Sequence, residues 1–443
     1  MKKKLLAVVV FLFSMGWASA QTQLSLPDAV NFALQHKAEA QKARLDIKNA
    51  AYQIEEVRAN ALPQINASGG LTHNAILQQT ALNMNGETMV IKMGQPWTSS
   101  AAVQLNQQIF NMSVFQGLKA AKSTKEFYAI NASLTEEQII EKVANSYYEV
   151  FKTKSQIETI DQTITNTSRV KDVIASLESN GLAKKIDLDR IIVSLNNLKS
   201  SRQQLRNGLM LQENALKYLI GMEIDTQIIL AENTFDAPQT IYAKDAVNLD
   251  NRTEIQLMKK QGELLQLNMK ATEARKYPTL SFNANYGYMG MGSRFPYFYG
   301  GNSNVNWSNY SSFGLTLNVP IFNGHAVRSK VRQAQVDIDR YNEDYKDMKL
   351  ALNLAIENAY TQINNSYITL NVQESNKKLA RQVLSNVENN YKNGLASLTD
   401  LLDAENSYAD AQNNYTAAVL DYKLAEVQLV KAKGELKTFY TNK

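Results

Sequence analysis

Apolar residues near the C-terminus recur every seven positions, and a second row, three residues further on, consists of alanine alone. The first row contains Leu401, Tyr408, Tyr415, Tyr422, Leu429 and Leu436, and the second contains Ala404, Ala411, Ala418, Ala425 and Ala432. Two apolar positions per heptad over five heptads are typical of a coiled-coil seam rather than of the wider stripe of a globular helix. The pattern predicts a long helix that packs closely against other helices along its alanine row.

A turn signal precedes this seam. Tyr391-Lys392-Asn393-Gly394 contains the glycine that commonly ends a helix. Ser397-Leu398-Thr399-Asp400 contains the serine and the acid that commonly begin one. The seam is therefore predicted to be the second arm of a long helical hairpin.

The same landmarks occur 213 residues earlier in the chain. Asn180-Gly181-Leu182-Ala183 matches Asn393-Gly394-Leu395-Ala396, and Asp187-Leu188 matches Asp400-Leu401, again with a heptad seam after it. Gln108-Ile109-Phe110-Asn111 similarly matches Pro320-Ile321-Phe322-Asn323. Landmarks in one order at a nearly constant offset predict a single structural unit that is present twice.

Four further segments alternate apolar and small polar residues, which is the period-two pattern of a β-strand. They span residues 63–74, 99–110, 278–290 and 311–322. Strands of this kind fit an outer-membrane barrel, and they fit a half-exposed soluble sheet nearly as well. The connections at 73–98 and 288–312 are predicted to be long, loose loops. Four strands cannot close a membrane barrel, whose minimum is about eight, so the strand edges are expected to pair with other copies of the chain.

These patterns together predict the organisation of the chain. The segments are a signal peptide at 1–20, a first structural repeat at 21–230 with a helical hairpin at 111–220, a linker or equatorial segment at 231–250, and a second repeat at 251–443 with a helical hairpin at 325–436. The predicted fold is mainly α with a membrane β-barrel portion. In it, a duplicated unit of strand hairpin plus long coiled-coil helical hairpin forms an α/β-barrel together with other copies of the chain.

The N-terminus has the residue order of a secretory signal peptide. Three lysines at positions 2–4 precede an apolar run at 5–13 and then Ala18-Ser19-Ala20, with cleavage expected before Gln21. No later apolar run approaches the ~20 residues of a transmembrane helix. The net charge of +5 falls to roughly +2 without these lysines, and no basic patch suits a nucleic acid.

Few residues suit catalysis or metal binding. There is no cysteine, and the three histidines, His36, His73 and His325, lie far apart without a ligand spacing. No nucleophile–base motif or phosphate-binding loop is present in the sequence. We therefore expect no enzymatic activity, no cofactor and no metal site, and a periplasmic hydrolase has no support.

An exported chain with two copies of a strand hairpin and a long helical hairpin resembles the TolC-type outer-membrane efflux family over its whole mature length. The most specific part of the resemblance is Tyr391-x-x-Gly394 followed by Asp400-x-x-Asp403. It implies a homotrimer with a twelve-stranded barrel in the lipid of the outer membrane and a twelve-helix tunnel through the periplasm. It also implies an exit duct that serves an inner-membrane transporter through a periplasmic adaptor protein.

The resemblance further implies roles for individual residues. Asp400 and Asp403 match the aspartate rings at the closed periplasmic gate, which would also set ion selectivity. Tyr391 and Asp187 match positions of the gate latch, whereas the position of the latch arginine is Ala396 here.

Two more expectations concern the ends of the helical hairpins. The glycine turns at Gly181 and Gly394 are expected to form the tip that faces the adaptor. Asp400 lies three residues after Ser397, so its carboxylate also fits a helix-capping role, and the two roles of Asp400 are compatible.

A different class of protein remains open from the pattern alone. A secreted or surface-attached coiled-coil adhesin or scaffold without a channel would also have a signal peptide and heptads. Such a protein would not explain why strand hairpins are duplicated between the helices.

Overall fold

The structure is a computed structural model that describes residues 22–84, 87–231, 242–297 and 305–441. The predicted signal peptide and residues 232–241 of the predicted linker lie outside the described residues. Besides two short 3-10 helices, the elements in chain order are β1 (Thr22–Leu24), α1 (Leu26–His36), α2 (Ala38–Ala59), β2 (Gln64–His73), β3 (Gln78–Met84), β4 (Glu87–Met93), β5 (Trp97–Phe110), α3 (Met112–Ser179), α4 (Lys185–Ile220), β6 (Ile228–Leu230), α5 (Thr253–Glu273), β7 (Thr279–Gly292), β8 (Val305–Asn318), α6 (Ala326–Lys392), α7 (Leu398–Lys433) and α8 (Leu436–Thr441).

These elements form two compact units, and each unit takes segments from both halves of the chain. The first unit consists of the described residues of Met1–Leu45, Ala129–Leu257 and Tyr345–Lys443. The second unit consists of the described residues of Asp46–Tyr128 and Met258–Asp344. No helix within the described ranges combines the length and the apolar character that crossing a membrane requires.

The largest core of the first unit gathers apolar side chains from α1, α3, α4, α7 and α8. Val30, Ile140, Leu216 and Val427 are all fully buried in it, and each such side chain stabilises the fold by about 1.5–3 kcal/mol relative to exposure. The core also holds a parallel pairing of β1 with β6. The sequence did not predict this pairing, because strands of three residues show no periodicity.

The predicted alanine seam is confirmed at both ends of α7. Leu401 and Ala404 are buried near its start, and a second buried stretch runs through Ala418, Tyr422, Ala425, Leu429 and Ala432. Tyr408 and Tyr415, in the middle of the helix, are only half-buried. Around Tyr408 the facing surface of α3 is polar and lines a small cavity. The surroundings of the seam are therefore more polar there than the sequence pattern predicts.

The second unit contains a four-stranded antiparallel sheet in the order β2-β5-β7-β8. Its register separates an apolar face from a polar one. One cross-strand row on the apolar face is Ile65–Leu105–Ala284–Phe313, and the adjacent row on the opposite face is Asn66–Gln104–Asn285–Ser312. On the polar face, Asn283 accepts a hydrogen bond from Asn106 (2.7 Å) and donates one to Thr316 (3.0 Å). The alternation in the sequence thus corresponds to the two faces of this sheet.

The connections between the strands differ from the expectation of loose loops. The first contains an antiparallel hairpin of β3 and β4, so the prediction of a loop at 73–98 is wrong. The sequence signal was Asn85-Gly86, a dipeptide favoured in two-residue hairpin turns. β7 and β8 extend further into the second connection than predicted, where Tyr288 stacks on Trp307 with ring centroids 5.1 Å apart. β8 ends at Asn318 rather than at 322, before Pro320, which lacks a backbone donor.

Candidate functional site

Two five-residue turns join the long helices of the first unit, and the predicted site residues lie in or beside them. The first turn, residues 180–184, joins α3 to α4, and the second turn, residues 393–397, joins α6 to α7. Gly181 and Gly394 adopt φ values of 72° and 73°, which residues with a Cβ rarely adopt. Both turns therefore depend on their glycine.

The two turns are closed by the same pair of backbone hydrogen bonds. In each turn, the glycine amide and the following leucine amide donate to carbonyls at the end of the preceding helix, which is the Schellman arrangement. The four bonds are Gly181 to Glu178 (2.9 Å), Leu182 to Leu177 (2.8 Å), Gly394 to Tyr391 (3.0 Å) and Leu395 to Asn390 (2.8 Å). Leu182 and Leu395 are 76% and 77% exposed, so equivalent apolar side chains project from both turns.

The helix starts after the two turns differ. The amide and the hydroxyl of Ser397 donate to Oδ2 of Asp400 at 2.8 and 2.7 Å, and the amide of Asp400 donates back to the Ser397 hydroxyl oxygen at 3.2 Å. This reciprocal capping box satisfies donors that the start of α7 would otherwise leave unpaired. At the start of α4 the same position is Lys184, which makes no side-chain capping hydrogen bond.

Asp400 and Asp403 both lie on the exposed surface of α7. The hydrogen bonds from Ser397 hold the pKa of Asp400 below its ordinary value, because they stabilise the charged carboxylate. Leu401 and Ala404, which directly follow Asp400 and Asp403 in the sequence, are buried. The structure therefore gives Asp400 the capping role that the sequence allowed, and it leaves both carboxylates away from the seam.

Tyr391 and Asp187 lie close together where the two helical hairpins meet. Tyr391 packs against two clusters, whose buried members are Ile174, Ile191 and Leu398 in one and Leu384, Leu401 and Ala404 in the other. Burial raises the pKa of Tyr391, and the neighbouring negative charge of Asp187 raises it further. The structure thus brings together the two residues predicted as a latch, and their role in gating stays a prediction.

A cleft of about 560 Å³ lies beside Tyr391, between α3, α6 and α7. Ala396, at the position where the resemblance expects the latch arginine, lines this cleft together with Arg169 of α3. An arginine is therefore present in the cleft, but it comes from α3 rather than from the turn between α6 and α7. Glu388 of α6 contributes an acidic group to the same wall.

One polar residue in this region, Glu405, is not predicted from the sequence pattern. Its side chain is 5% exposed and accepts a hydrogen bond from the hydroxyl of Thr167 at 3.0 Å. A signal was available, because the residue 213 positions earlier is Ile192, so the second predicted repeat has an acid where the first predicted repeat has an apolar side chain. Its partner Thr167 lies 238 residues away, and no local pattern connects the two.

Comparison with protein families and solved structures gives one consistent result. A model of the outer membrane efflux protein family matches residues 29–222 and 247–435. The chain is 23% identical to outer membrane protein TolC of Salmonella enteritidis over 451 residues, which covers 98% of this chain and 87% of that protein. It is likewise 23% identical to outer membrane protein TolC of Escherichia coli K12 over 455 residues, with the same coverage.

Two solved structures share the fold. The outer membrane protein VceC of Vibrio cholerae superposes with a TM-score of 0.70 at 18% identity, covering 92% of this chain and 96% of that chain. The open state of the MtrE outer membrane channel of Neisseria gonorrhoeae also superposes with a TM-score of 0.70, at 17% identity, covering 93% of this chain and 89% of that chain. The predicted mainly helical fold is thereby confirmed.

Proposed function

The chain belongs to the outer membrane efflux protein family, and from this membership we propose how its strands, helices and turns serve an efflux channel. The protein is an efflux channel of the outer membrane of Gram-negative bacteria. Relatives named as outer membrane proteins and channels match over most of the chain. No catalytic step is proposed, and the channel is a passive exit path.

Three copies of the chain close one twelve-stranded barrel. The observation that carries this proposal is the sheet β2-β5-β7-β8, which has β2 and β8 as its outer strands and one apolar, exposed face. On β8, Phe313 and Leu315 are 84% and 66% exposed, and Ile65 on β2 is 66% exposed. A contiguous exposed apolar face is unusual on a soluble monomer, and lipid would cover it in the outer membrane.

The helical hairpins form the periplasmic part of the duct, as two structural repeats at 21–230 and 251–443 separated by the linker at 231–250. The turns at Gly181 and Gly394 face a periplasmic adaptor protein, which couples the channel to an inner-membrane transporter. The exposed Leu182 and Leu395 support this assignment, because a pair of equivalent apolar side chains suits a protein partner.

The gate lies at the ends of the same hairpins. Asp400 and Asp403, three residues apart on one helix, form two rings of three carboxylates, which attract cations into a narrow lumen. Tyr391 and Asp187 act as the latch that holds the hairpins together. Opening separates the hairpins, as a switch between two packings.

Mass measurement of the protein extracted in mild detergent tests the assembly. We expect a trimer that migrates at trimer size until it is heated, and a stable monomer embedded in the outer membrane would contradict the proposal. Phe313→Arg places a charge on the apolar face, where such a residue costs about 2–4 kcal/mol at the membrane midplane, and should lower the yield of membrane trimers. The control Ser312→Arg, on the neighbouring row of the polar face, should assemble like the wild type.

A further inference from the structure

Glu405 is a buried carboxylate that takes no part in the capping box or in the predicted aspartate rings. Its side chain is 5% exposed, and its Oε2 atom accepts the hydrogen bond from Thr167 at 3.0 Å. Thr167 belongs to α3 and Glu405 to α7, so this bond joins the first helical hairpin to the second. Two apolar clusters pack at the same junction.

The behaviour of the other threonines in α3 shows that the Thr167 bond is distinctive. Each of the other six donates its hydroxyl proton to the carbonyl four residues earlier in its own helix, which is the usual arrangement for a helical threonine. These six are Thr124, Thr135, Thr153, Thr159, Thr163 and Thr165. Thr167 instead donates across to a carboxylate, and a bond to a charged acceptor is stronger than one to a neutral carbonyl.

Glu405 lies between two spaces rather than in a filled core. It lines the cleft of about 560 Å³ and also the smaller polar cavity next to it. The titratable and charged groups around these spaces are Arg169 of α3, Glu388, Tyr391 and Lys392 of α6, and Tyr408 of α7. Both spaces lie at the junction that would have to separate for the tip to open, so water would reach the carboxylate once the helices part.

Burial of the carboxylate makes its protonation depend on this packing. Desolvation raises the pKa of Glu405 and the charge of Glu388 raises it further, while the hydrogen bond from Thr167 opposes them only in part. The packed state therefore binds a proton more tightly than a separated state with a solvated carboxylate. Acid stabilises the packed helices, and ionisation of Glu405 at higher pH favours their separation.

We propose that Glu405 is a positioning residue of the gate, which holds α7 on α3 through Thr167 and makes the closure of the channel sensitive to protonation. The inference rests on the proposed channel function. Asp400 and Asp403 act on ions inside the lumen, whereas Glu405 acts on the helix packing that closes it. The two sets of acids therefore have separable effects on selectivity and on opening.

Conductance of the full-length protein in planar bilayers between pH 5 and pH 8 tests this inference. The wild-type ratio of open to closed channels should rise with pH, by up to about tenfold per pH unit for one titrating group. Glu405→Gln should flatten that dependence while leaving cation selectivity unchanged. Thr167→Val, which removes the donor at nearly constant volume, should raise the open fraction severalfold at neutral pH and keep a pH dependence.

The matched control is Asp410→Asn, which removes a negative charge from an exposed position on the same helix and should gate like the wild type. A Glu405→Gln channel with the wild-type pH profile overturns the inference, even if the variant is less heat-stable, because a purely structural contact would lower stability alone. If Glu405→Gln does not fold, a Thr167→Val open fraction equal to that of the wild type overturns it. Wild-type protein that forms no pore at any pH would overturn the channel function itself.

Discussion

The two turns of the first unit have the same backbone conformation but different flanking side chains. The shared backbone hydrogen bonds close each turn, whereas the flanking side chains determine how the next helix begins. Gly181 and Gly394 differ by 1° in φ, and the same hydrogen bonds close both turns. After the second turn, Ser397 and Asp400 cap α7. After the first, Lys184 gives no side-chain cap, and Asp187 lies near Tyr391 instead. A glycine and a Schellman pattern define the geometry, and the flanking residues are free to diverge.

The same contrast continues into the two helices that follow. Ile191 in α4 and Ala404 in α7 occupy matching positions, and both are buried, so the seam is retained in both repeats. The residues beside it change in character: Arg190 matches Asp403, and Ile192 matches Glu405. The second predicted repeat therefore has acids at two positions beside the seam where the first has none, whereas the first has Asp189 where the second has Leu402. This asymmetry supports placing the gate chemistry in the second repeat.

The largest effect is expected from removing two carboxylates that follow the second turn, those of Asp400 and Asp403. In planar bilayers the wild-type channel should show low conductance, cation preference and block by trivalent cations, because rings of like charge in a narrow lumen attract cations. The double variant Asp400→Ala/Asp403→Ala should lose the block and most of the selectivity. Leu401 and Ala404 are untouched, so the helix should still pack.

The matched double variant changes the first repeat at Asp187 and Arg190, both to alanine. It removes one charge of each sign and should keep the trivalent block, whatever it does to the open fraction. If the block survives in the Asp400→Ala/Asp403→Ala channel, these aspartates serve only to start α7, and the selectivity lies elsewhere. If both double variants lose it, the two turns contribute equally and the contrast between them is wrong.

A second test asks whether the two turns are as alike in energy as in geometry. Gly181→Ala and Gly394→Ala should each destabilise their turn by about 1 kcal/mol, because alanine is disfavoured at positive φ. A Cβ at either position would lie more than 4 Å from every residue beyond its two chain neighbours, so the expected cost is backbone strain rather than a steric clash. Hydrogen exchange of the turn amides measures it locally. Unequal losses would show that the partner hairpin supports one turn more than the other.

The sequence predicted these turns and seams well because their signals are local and periodic. Local motifs predicted the glycine turns and the serine cap three residues before Asp400. The heptad spacing predicted the buried pair Leu401 and Ala404. The alternation of strand residues likewise predicted which face of the sheet is apolar, as the row through Ile65 and Phe313 shows.

The features that escaped prediction depend on residues distant in sequence. β1 pairs with β6 across about half the chain, and Thr167 meets Glu405 only because two hairpins pack side by side. Neither contact leaves a pattern within one helix or strand. The β3–β4 hairpin was missed for another reason, since its alternation is weak and Asn85-Gly86 was its main signal.

A smaller effect is expected from the cap that only the second turn has. Ser397→Ala should destabilise the start of α7 by about 1 kcal/mol, measured by hydrogen exchange of the first-turn amides of the helix. The control Lys184→Ala should leave α4 unchanged, because the Lys184 side chain makes no capping hydrogen bond. The Ser397 effect should also depend on pH. Because the pKa of Asp400 is lowered from 3.8 in the folded state, its contribution is present above that value and is lost as the pH falls through the lower folded pKa. Equal losses in both variants would contradict the assigned cap.

The smallest expected effect is a gain, obtained by giving the first turn the cap of the second. Lys184 has an extended backbone with φ −86° and ψ 140°, close to the φ −82° and ψ 163° of Ser397, and Asp187 already occupies the position that matches Asp400. Lys184→Ser should therefore complete a capping box and stabilise the start of α4 by about 0.5–1 kcal/mol, seen as slower hydrogen exchange there. Lys184→Ala, which provides no hydroxyl, should not reproduce the gain. If Lys184→Ser does not slow hydrogen exchange at the start of α4, the Asp187 carboxylate does not reach residue 184 to form the capping box. Its interaction with Tyr391 in the predicted latch would then be stronger than its tendency to cap the helix.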